Sequence, residues 1–182
     1  AWYEIKAECE RNKVIFFATP QNESDLSILL KVGVPCVKVG SDDLANLALL
    51  KAYASHGLPM ILSTGMADFA DIVRAIGAVK PTPFALCVCT SEYPCPPEHA
   101  NLARITELRA LYPDTPIGFS DHTEGPEAGA TAAALGASYF EKHFTLDTLL
   151  PGPDHGFSAN PIELWCWADG IRLAYTMLGT GA

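Results

Sequence analysis

Short apolar runs recur along the chain roughly every 20 to 30 residues, and each has the length and β-branched content of a buried strand. Their near-continuous apolar character is typical of parallel strands that are covered on both faces. The pattern predicts six strands: VIFFATP (14–20), CVKVGS (36–41), PMILSTG (59–65), FALCVCT (84–90), PIGFSDH (116–122) and SYFEKHF (138–144).

Between these runs, apolar residues recur at three- and four-residue spacing, which predicts amphipathic helices. The predicted helical segments are 25–33, 44–57, 68–80, 98–113 and 124–137. Residues suited to helix ends agree with this assignment. Asp25, Asp42 and Asp68 are predicted N-caps, and Gly33, Gly57 and Gly136 are predicted left-handed C-terminal residues. Strands that alternate with helices predict an α/β fold with a parallel sheet.

Polar residues at the strand ends distinguish two α/β architectures. A doubly wound sheet concentrates its site at one switch point, whereas a (β/α)₈ barrel collects residues from most strand ends on one rim. All six predicted strands end in such residues: Thr19; Lys38 and Ser41; Ser63 and Thr64; Thr90 and Ser91; Ser120 and His122; Glu141 and His143. This favours a TIM (β/α)₈ barrel. Because about six units are visible, we expect an incomplete barrel that lacks its first two units.

Composition limits the class of protein. The 182 residues are 49% apolar, which is enough for one domain, residues 1–182. The net charge of −9 and the absence of a basic run argue against nucleic acid or an anionic membrane as a partner. No apolar stretch approaches the roughly 20 residues of a membrane span. The six cysteines show no zinc-site spacing, so we expect reduced thiols in a cytoplasmic protein.

Two neighbouring predicted strands each end in a histidine. Within a strand, Ser120 shares a face with His122, and Glu141 shares a face with His143. Adjacent parallel strands lie about 4.8 Å apart, so both imidazoles can reach one metal ion. Two imidazoles with carboxylate and water oxygens suit Mn²⁺ or Mg²⁺. A lone strand histidine is more often structural, but two at the same height favour a metal site.

Lys38 lies in an otherwise apolar strand, where a buried ammonium requires an anion. The alternative is a stem that lies along the wall while its amine reaches solvent. Together with nearby hydroxyl groups, Lys38 favours a phosphate or carboxylate ligand. Asp43, Tyr93 and Asp154 follow strands or lie in a late loop, where each can hydrogen-bond a polyhydroxylated substrate or serve as a cap or turn residue.

Five ordered segments carry a family resemblance: KVGSDDLANLALLKAYASHGLPMILSTGMA, CTSEYPCPPEHANL, GFSDHTEG, FEKHFTLD and GPDHGFSANPIEL. Together they resemble the N-acetylneuraminate (sialic acid) synthases, a family that includes legionaminate and pseudaminate synthases. The resemblance implies a (β/α)₈ barrel that condenses phosphoenolpyruvate with an N-acetylated sugar aldehyde, such as N-acetylmannosamine. The product is a nine-carbon 2-keto sugar acid, and phosphate is released.

The same resemblance implies roles for individual residues. His122 and His143 would hold Mn²⁺ or Mg²⁺, and with Asp154 they form the expected catalytic set. Phosphoenolpyruvate would contact Thr19, Lys38, Ser41, Ser91 and Ser120, and the sugar would contact Asp43, Tyr93, His143 and Asp154. Family members often carry Asn at the place of Ser91 and Glu at the place of Asp43.

Two parts of the family pattern have no counterpart in the chain. These are the first two barrel strands, with a catalytic carboxylate and a phosphate-binding lysine, and the C-terminal antifreeze-like domain that reaches across a homodimer. We therefore expect little or no activity from this chain alone. The alternatives are a metal-dependent pyruvate aldolase and a non-catalytic barrel that binds sugar or serves in assembly. Which sugar is used is open.

Overall fold

The computed structural model describes residues 1–179 of the chain. Five short strands and seven helices alternate along most of this region. The strands are β1 (Val37–Val39), β2 (Met60–Ser63), β3 (Phe84–Val88), β4 (Ile117–Asp121) and β5 (Tyr139–Lys142). The helices are α1 (Trp2–Arg11), α2 (Glu23–Val32), α3 (Leu47–Ala54), α4 (Phe69–Val79), α5 (Ala103–Leu111), α6 (Glu127–Ala134) and α7 (Pro161–Leu178), with single 3₁₀ turns at Pro97–His99 and His155–Phe157.

The chain divides into two compact units, Ala1–Ala85 and Leu86–Ala182. In the first unit, β1 and β2 are parallel, with Lys38 opposite Ile61. In the second unit, β3 is parallel to β4 and β4 is parallel to β5. Strands that run parallel and are separated by helices confirm the α/β class, and this connectivity is consistent with a partial (β/α)₈ barrel. The number of barrel units and the single-domain boundary remain predictions.

The first unit is held by apolar side chains from its helices and strands. Leu26, Leu50, Leu62 and Ile72 are at most 1% exposed. Burial of such side chains contributes about 1.5–3 kcal/mol each. Asp68 is the N-cap of helix α4, and its side chain accepts a hydrogen bond from the Asp71 amide, as the sequence predicts.

Three details of the first unit differ from the sequence predictions. The segment 14–20 is not a strand, because Val14 and Ile15 are exposed and the segment bridges β1 only through Ala18. Asp25 is not an N-cap, since the Asn22 side chain accepts from the Asp25 amide and occupies that position. Asp42 is not an N-cap either.

The element that Asp42 was expected to cap is α3, which begins later. Its N-cap is Asn46, whose side chain accepts from the Leu49 amide. The predicted glycines are correct: Gly33, Gly57 and Gly136 have φ of +82°, +72° and +93°.

Helices α6 and α7 pack together in the second unit. Trp167 and Ile171 of α7 join Ala133 of α6 in a buried apolar cluster. Gly129 of α6 permits this packing, because a Cβ there would lie 2.4 Å from the Trp167 indole nitrogen. The periodicity did not predict α7, although Asn160 and Glu163 form a capping box at its start. None of the helices in residues 1–179 is long and apolar enough to cross a bilayer.

Candidate functional site

The carboxyl ends of β4 and β5 bring the two candidate metal ligands together. His122 and His143 directly follow these strands, and their ring centroids are 5.4 Å apart. The register pairs Ser120 with Glu141 and Asp121 with Lys142. The expected juxtaposition of the two imidazoles is therefore present.

Hydrogen bonding orients the His122 ring. Its Nδ1 lies 2.7 Å from the Thr90 carbonyl oxygen, so Nδ1 carries a proton and donates it. Burial lowers the pKa of His122 below its ordinary value, and the adjacent His143 acts in the same direction, whereas the Thr90 carbonyl opposes the shift. The neutral ring thus presents its Nε2 lone pair toward the strand ends.

Ser120 lies between His122 and Glu141. Its Oγ is 2.7 Å from Glu141 Oε1 and 3.4 Å from His122 Nε2. A hydroxyl has one proton, and the shorter contact shows that Ser120 donates it to Glu141. The Nε2 lone pair of His122 therefore stays available to a cation. Tyr139 donates to the second Glu141 oxygen at 2.7 Å, which fixes the carboxylate.

Aromatic rings enclose the two histidines. The Tyr93 ring lies 4.3 Å from His122 and 5.8 Å from His143, and the Phe157 ring lies 5.0 Å from His143. Burial raises the pKa of the Tyr93 phenol, although a hydrogen bond with Ser91 opposes the shift. Tyr93 thus lies beside the histidines, on the loop after β3 that also carries Ser91.

Asp154 approaches the same histidines from the late loop. Its Oδ2 is 3.7 Å from His143 Nδ1, and its side chain is 61% exposed. The Ser158 hydroxyl donates to the Asp154 carbonyl at 2.6 Å, which anchors the main chain while the carboxylate stays in solvent. The Asp154 carboxylate is therefore accessible from solvent beside the His143 ring.

A second cluster lies in the first unit, around the end of β1. Lys38 is 7% exposed, and its ammonium donates to Ser63 of β2 at 2.7 Å. The Ser41 hydroxyl accepts from the Gly65 amide at 3.0 Å. A buried ammonium beside hydroxyl groups suits an anion, because burial strengthens charge-assisted hydrogen bonds.

Asp43 and Thr19 lie at the borders of this cluster. Asp43 is half-buried in the turn after β1, where its carbonyl accepts from the Asn46 amide. Thr19 is exposed, directly after the bridge between Ala18 and Val37.

The sequence analysis assigned no site role to three residues of these clusters. Ser63 and Glu141 were noted as polar strand ends, and their alignment with Lys38 and Ser120 was the available signal. Phe157 carried no signal, because its contact with His143 is created by the fold of the late loop.

Comparison with known proteins agrees with these features. The chain matches the NeuB family over residues 1–182. The chain belongs to the NeuB family. It is 41% identical over 177 residues to the spore coat polysaccharide biosynthesis protein SpsE of Bacillus subtilis, covering 95% of this chain and 48% of SpsE. It is 37% identical to N-acetylneuraminate-9-phosphate synthase of Mus musculus, covering 97% of this chain and 50% of that protein.

A solved NeuB relative has nearly the same structure. The N-acetylneuraminic acid (sialic acid) synthetase from Leptospira borgpetersenii, crystallised with citrate, superposes with a TM-score of 0.95 at 38% identity, covering all of this chain and 64% of that one. Other NeuB relatives are named as N,N'-diacetyllegionaminic acid and pseudaminic acid synthases. The chain spans about half the length of the curated relatives that it matches. The predicted family is confirmed, and several of its members are named as synthases of sialic acid and related sugar acids.

Proposed function

We propose that this chain is the barrel core of an enzyme that condenses phosphoenolpyruvate with an N-acetylated sugar aldehyde of the N-acetylmannosamine type. The reaction consumes one water molecule, and its products are a nine-carbon 2-keto sugar acid and inorganic phosphate. Membership in the NeuB family and the relatives named as sialic acid synthases support this reaction class.

The observation that carries the proposal is the pair of adjacent imidazoles of His122 and His143, whose ring centroids are 5.4 Å apart. The Thr90 carbonyl holds the proton of His122 on Nδ1, so the Nε2 lone pair is a ready ligand. In residues 1–179, no group of three or more His, Cys, Asp or Glu side chains could hold a metal. Two imidazoles with the remaining positions open to water or substrate oxygens fit Mn²⁺ or Mg²⁺.

When bound, a divalent cation supplies Lewis-acid polarisation of the sugar aldehyde carbonyl. The side chains contribute binding and orientation. His122 keeps its proton on Nδ1, away from the substrate. Asp154, whose carboxylate reaches solvent 3.7 Å from His143, hydrogen-bonds the sugar and holds its hydroxyl groups against that ring. Tyr93 adds a further sugar contact, and the family resemblance implies another with Asp43.

Phosphoenolpyruvate carries a phosphate and a carboxylate, which suit the ammonium of Lys38 and the hydroxyl groups of Thr19 and Ser41 in the first unit. The family resemblance also implies contacts of this ligand with Ser91 and Ser120. The ammonium of Lys38 is fixed by Ser63, so little side-chain entropy is lost when it binds an anion. Holding the two substrates in a reactive orientation makes their reaction effectively unimolecular, which is a major source of rate enhancement.

We further propose that the full-length protein is a cytoplasmic homodimer. The six cysteines are all free thiols, which suits a reducing compartment.

The test is a donor comparison with the full-length protein and N-acetylmannosamine. With phosphoenolpyruvate we expect equal amounts of inorganic phosphate and 2-keto acid, and with pyruvate we expect no product. Consumption of pyruvate in place of phosphoenolpyruvate would identify an aldolase. Sugar binding without turnover of either donor would identify a non-catalytic barrel. The 182-residue chain alone is expected to show little or no turnover.

A further inference from the structure

Asp121 and Lys142 directly precede the two histidines in the chain. They are paired across β4 and β5 in the parallel register. Successive side chains of a strand point to opposite faces, so this pair lies on the face away from His122 and His143. The residue that immediately precedes each histidine is therefore paired directly with its counterpart on the neighbouring strand.

The pair is a buried ion pair with several further hydrogen bonds. Lys142 Nζ lies 3.0 Å from Asp121 Oδ2, and the two side chains are 6% and 0% exposed. Lys142 also donates to the Thr123 carbonyl at 2.7 Å. The other Asp121 oxygen accepts from both the amide and the hydroxyl of Thr123, at 2.9 and 2.7 Å.

Helix α7 anchors this ion pair from outside the strands. The Trp167 indole nitrogen donates to Asp121 Oδ2 at 2.8 Å, and the Lys142 ammonium lies 5.8 Å from the centre of the Trp167 ring. Gly129 of α6 leaves the space that the indole occupies. Asp121 is thus held from β5, from its own turn and from α7.

A buried ion pair contributes little net stability, because removing both charges from water costs free energy and apolar side chains of similar size stabilise a fold at least as well. Its distinct contribution is directional. A one-residue slip of β5 against β4 would separate the two charges and would also turn His143 to the opposite face. The ion pair therefore favours the single register in which both imidazoles face the same side.

We propose that Asp121 and Lys142, braced by Trp167, are positioning residues that hold His122 and His143 at the spacing needed to bind one divalent cation. The cation-binding part rests on the proposed function. The spacing of the two rings does not, because it is a property of the protein without metal.

The test uses the double variant Asp121→Asn/Lys142→Met, which removes both charges together and leaves no unpaired buried ion. The matched control is Ile105→Ala in α5, which removes a fully buried side chain of the same unit that is remote in sequence from the β4 and β5 ends. Thermal unfolding establishes the stability of each variant. Single Lys142→Arg keeps the charge and serves as the rescue variant.

Two readouts separate positioning from stability. The first is the nuclear Overhauser effect between the ring protons of His122 and His143 in metal-free protein, which the 5.4 Å centroid distance permits. The second is Mn²⁺ affinity by calorimetry. In the double variant we expect loss of the ring contact and a fall in affinity of about tenfold or more, the usual effect of removing support behind a metal ligand. Ile105→Ala should keep both, and Lys142→Arg should retain the ring contact.

An unchanged ring contact in a folded double variant would overturn the proposal, as would an equal loss in Ile105→Ala. If the double variant does not fold, Trp167→Phe takes its place, because it removes one bond to Asp121 and keeps the charges. A weakened ring contact in Trp167→Phe supports the proposal, and an unchanged one overturns it. Wild-type protein that binds no Mn²⁺ would refute the proposed metal site, while the ring contact would still decide the positioning role.

Discussion

The Nδ1 atom of His122 lies 2.7 Å from the carbonyl oxygen of Thr90, and this hydrogen bond leaves Nε2 as the free nitrogen of the ring. Outer hydrogen bonds of this kind fix the tautomer of a metal-binding imidazole and increase its basicity. Burial opposes the effect of this bond on basicity and outweighs it, so the pKa of His122 lies below its ordinary value.

The His122→Ala variant is expected to lose at least about a hundredfold in Mn²⁺ affinity, since even support residues contribute about 10- to 100-fold. Calorimetry on the 182-residue chain measures this directly. His56→Ala, a change at an exposed position of the first unit, is the matched control and should bind like wild type. Equal affinity in His122→Ala and wild type would favour the non-catalytic alternative.

Lys38→Met is expected to weaken phosphoenolpyruvate binding. A hydrogen bond to a charged group contributes about 1.5–3 kcal/mol, which corresponds to roughly 10- to 150-fold in affinity. Calorimetric titration provides the measurement, and thermal unfolding verifies that the variant is folded. Lys51→Met removes an exposed ammonium of the same unit and should have no effect. A Lys38→Met variant that is folded and binds normally would exclude Lys38 from the anion site.

Two glycines should respond to alanine in opposite directions. At Gly118 in β4, a Cβ would lie 2.2 Å from the Tyr139 ring, so Gly118→Ala should destabilise the fold by about 1–3 kcal/mol. Gly77 in α4 has open space around its Cβ position, so Gly77→Ala should stabilise by about 0.5–1 kcal/mol through helix propensity. Denaturant unfolding of both variants measures the two values, and a stabilising Gly118→Ala would contradict the close packing of β4 on β5.

Tyr53 is fully buried, and its hydroxyl donates to the Pro20 carbonyl at 3.1 Å. Burial, followed by the Asp43 carboxylate, raises the pKa of Tyr53 to about 12. Tyr53→Phe should cost about 1–3 kcal/mol of unfolding free energy, because it leaves a buried carbonyl unpaired. Chemical denaturation tests this, with the exposed Tyr3→Phe as control. A loss no greater than that of the control would show that water replaces the hydroxyl.

His99 should titrate above its ordinary range. The Glu92 carboxylate lies 2.8 Å from His99 Nδ1, and its hydrogen bond, and then its charge, raise the pKa of His99. A raised pKa in the folded state contributes stability below about pH 6.5, and this contribution is lost as the pH rises through the folded-state pKa. NMR titration should show a lower His99 pKa in Glu92→Gln and no change in Glu107→Gln.

Periodicity predicted the strands that became β1 to β5, because each is an apolar run with a clear end. It was wrong for 14–20, where apolar content is not matched by burial. The predicted N-cap at Asp25 was also wrong. Asn22 and Asp25 are both suitable capping residues, and only the backbone conformation decides which of the two side chains accepts a hydrogen bond from an amide of the first turn.

The site was predictable where its residues lie on one strand or on adjacent strand ends. Ser120, His122 and His143 follow from two-residue alternation and parallel pairing. Phe157 and Trp167 were not predictable in these contacts, because their partners are distant in the chain and a loop and a helix bring them together. Tertiary contacts of this kind leave no periodic signal.

The partner that orients His122 is a peptide carbonyl, and the Cys95 amide likewise bonds to the His122 carbonyl at 2.7 Å. Main-chain groups are supplied by every amino acid, so point substitutions at position 90 can change the side chain while the acceptor persists. The orientation of the His122 ring therefore does not depend on which side chain stands at position 90, whereas an insertion or deletion that displaces the loop backbone would remove the acceptor.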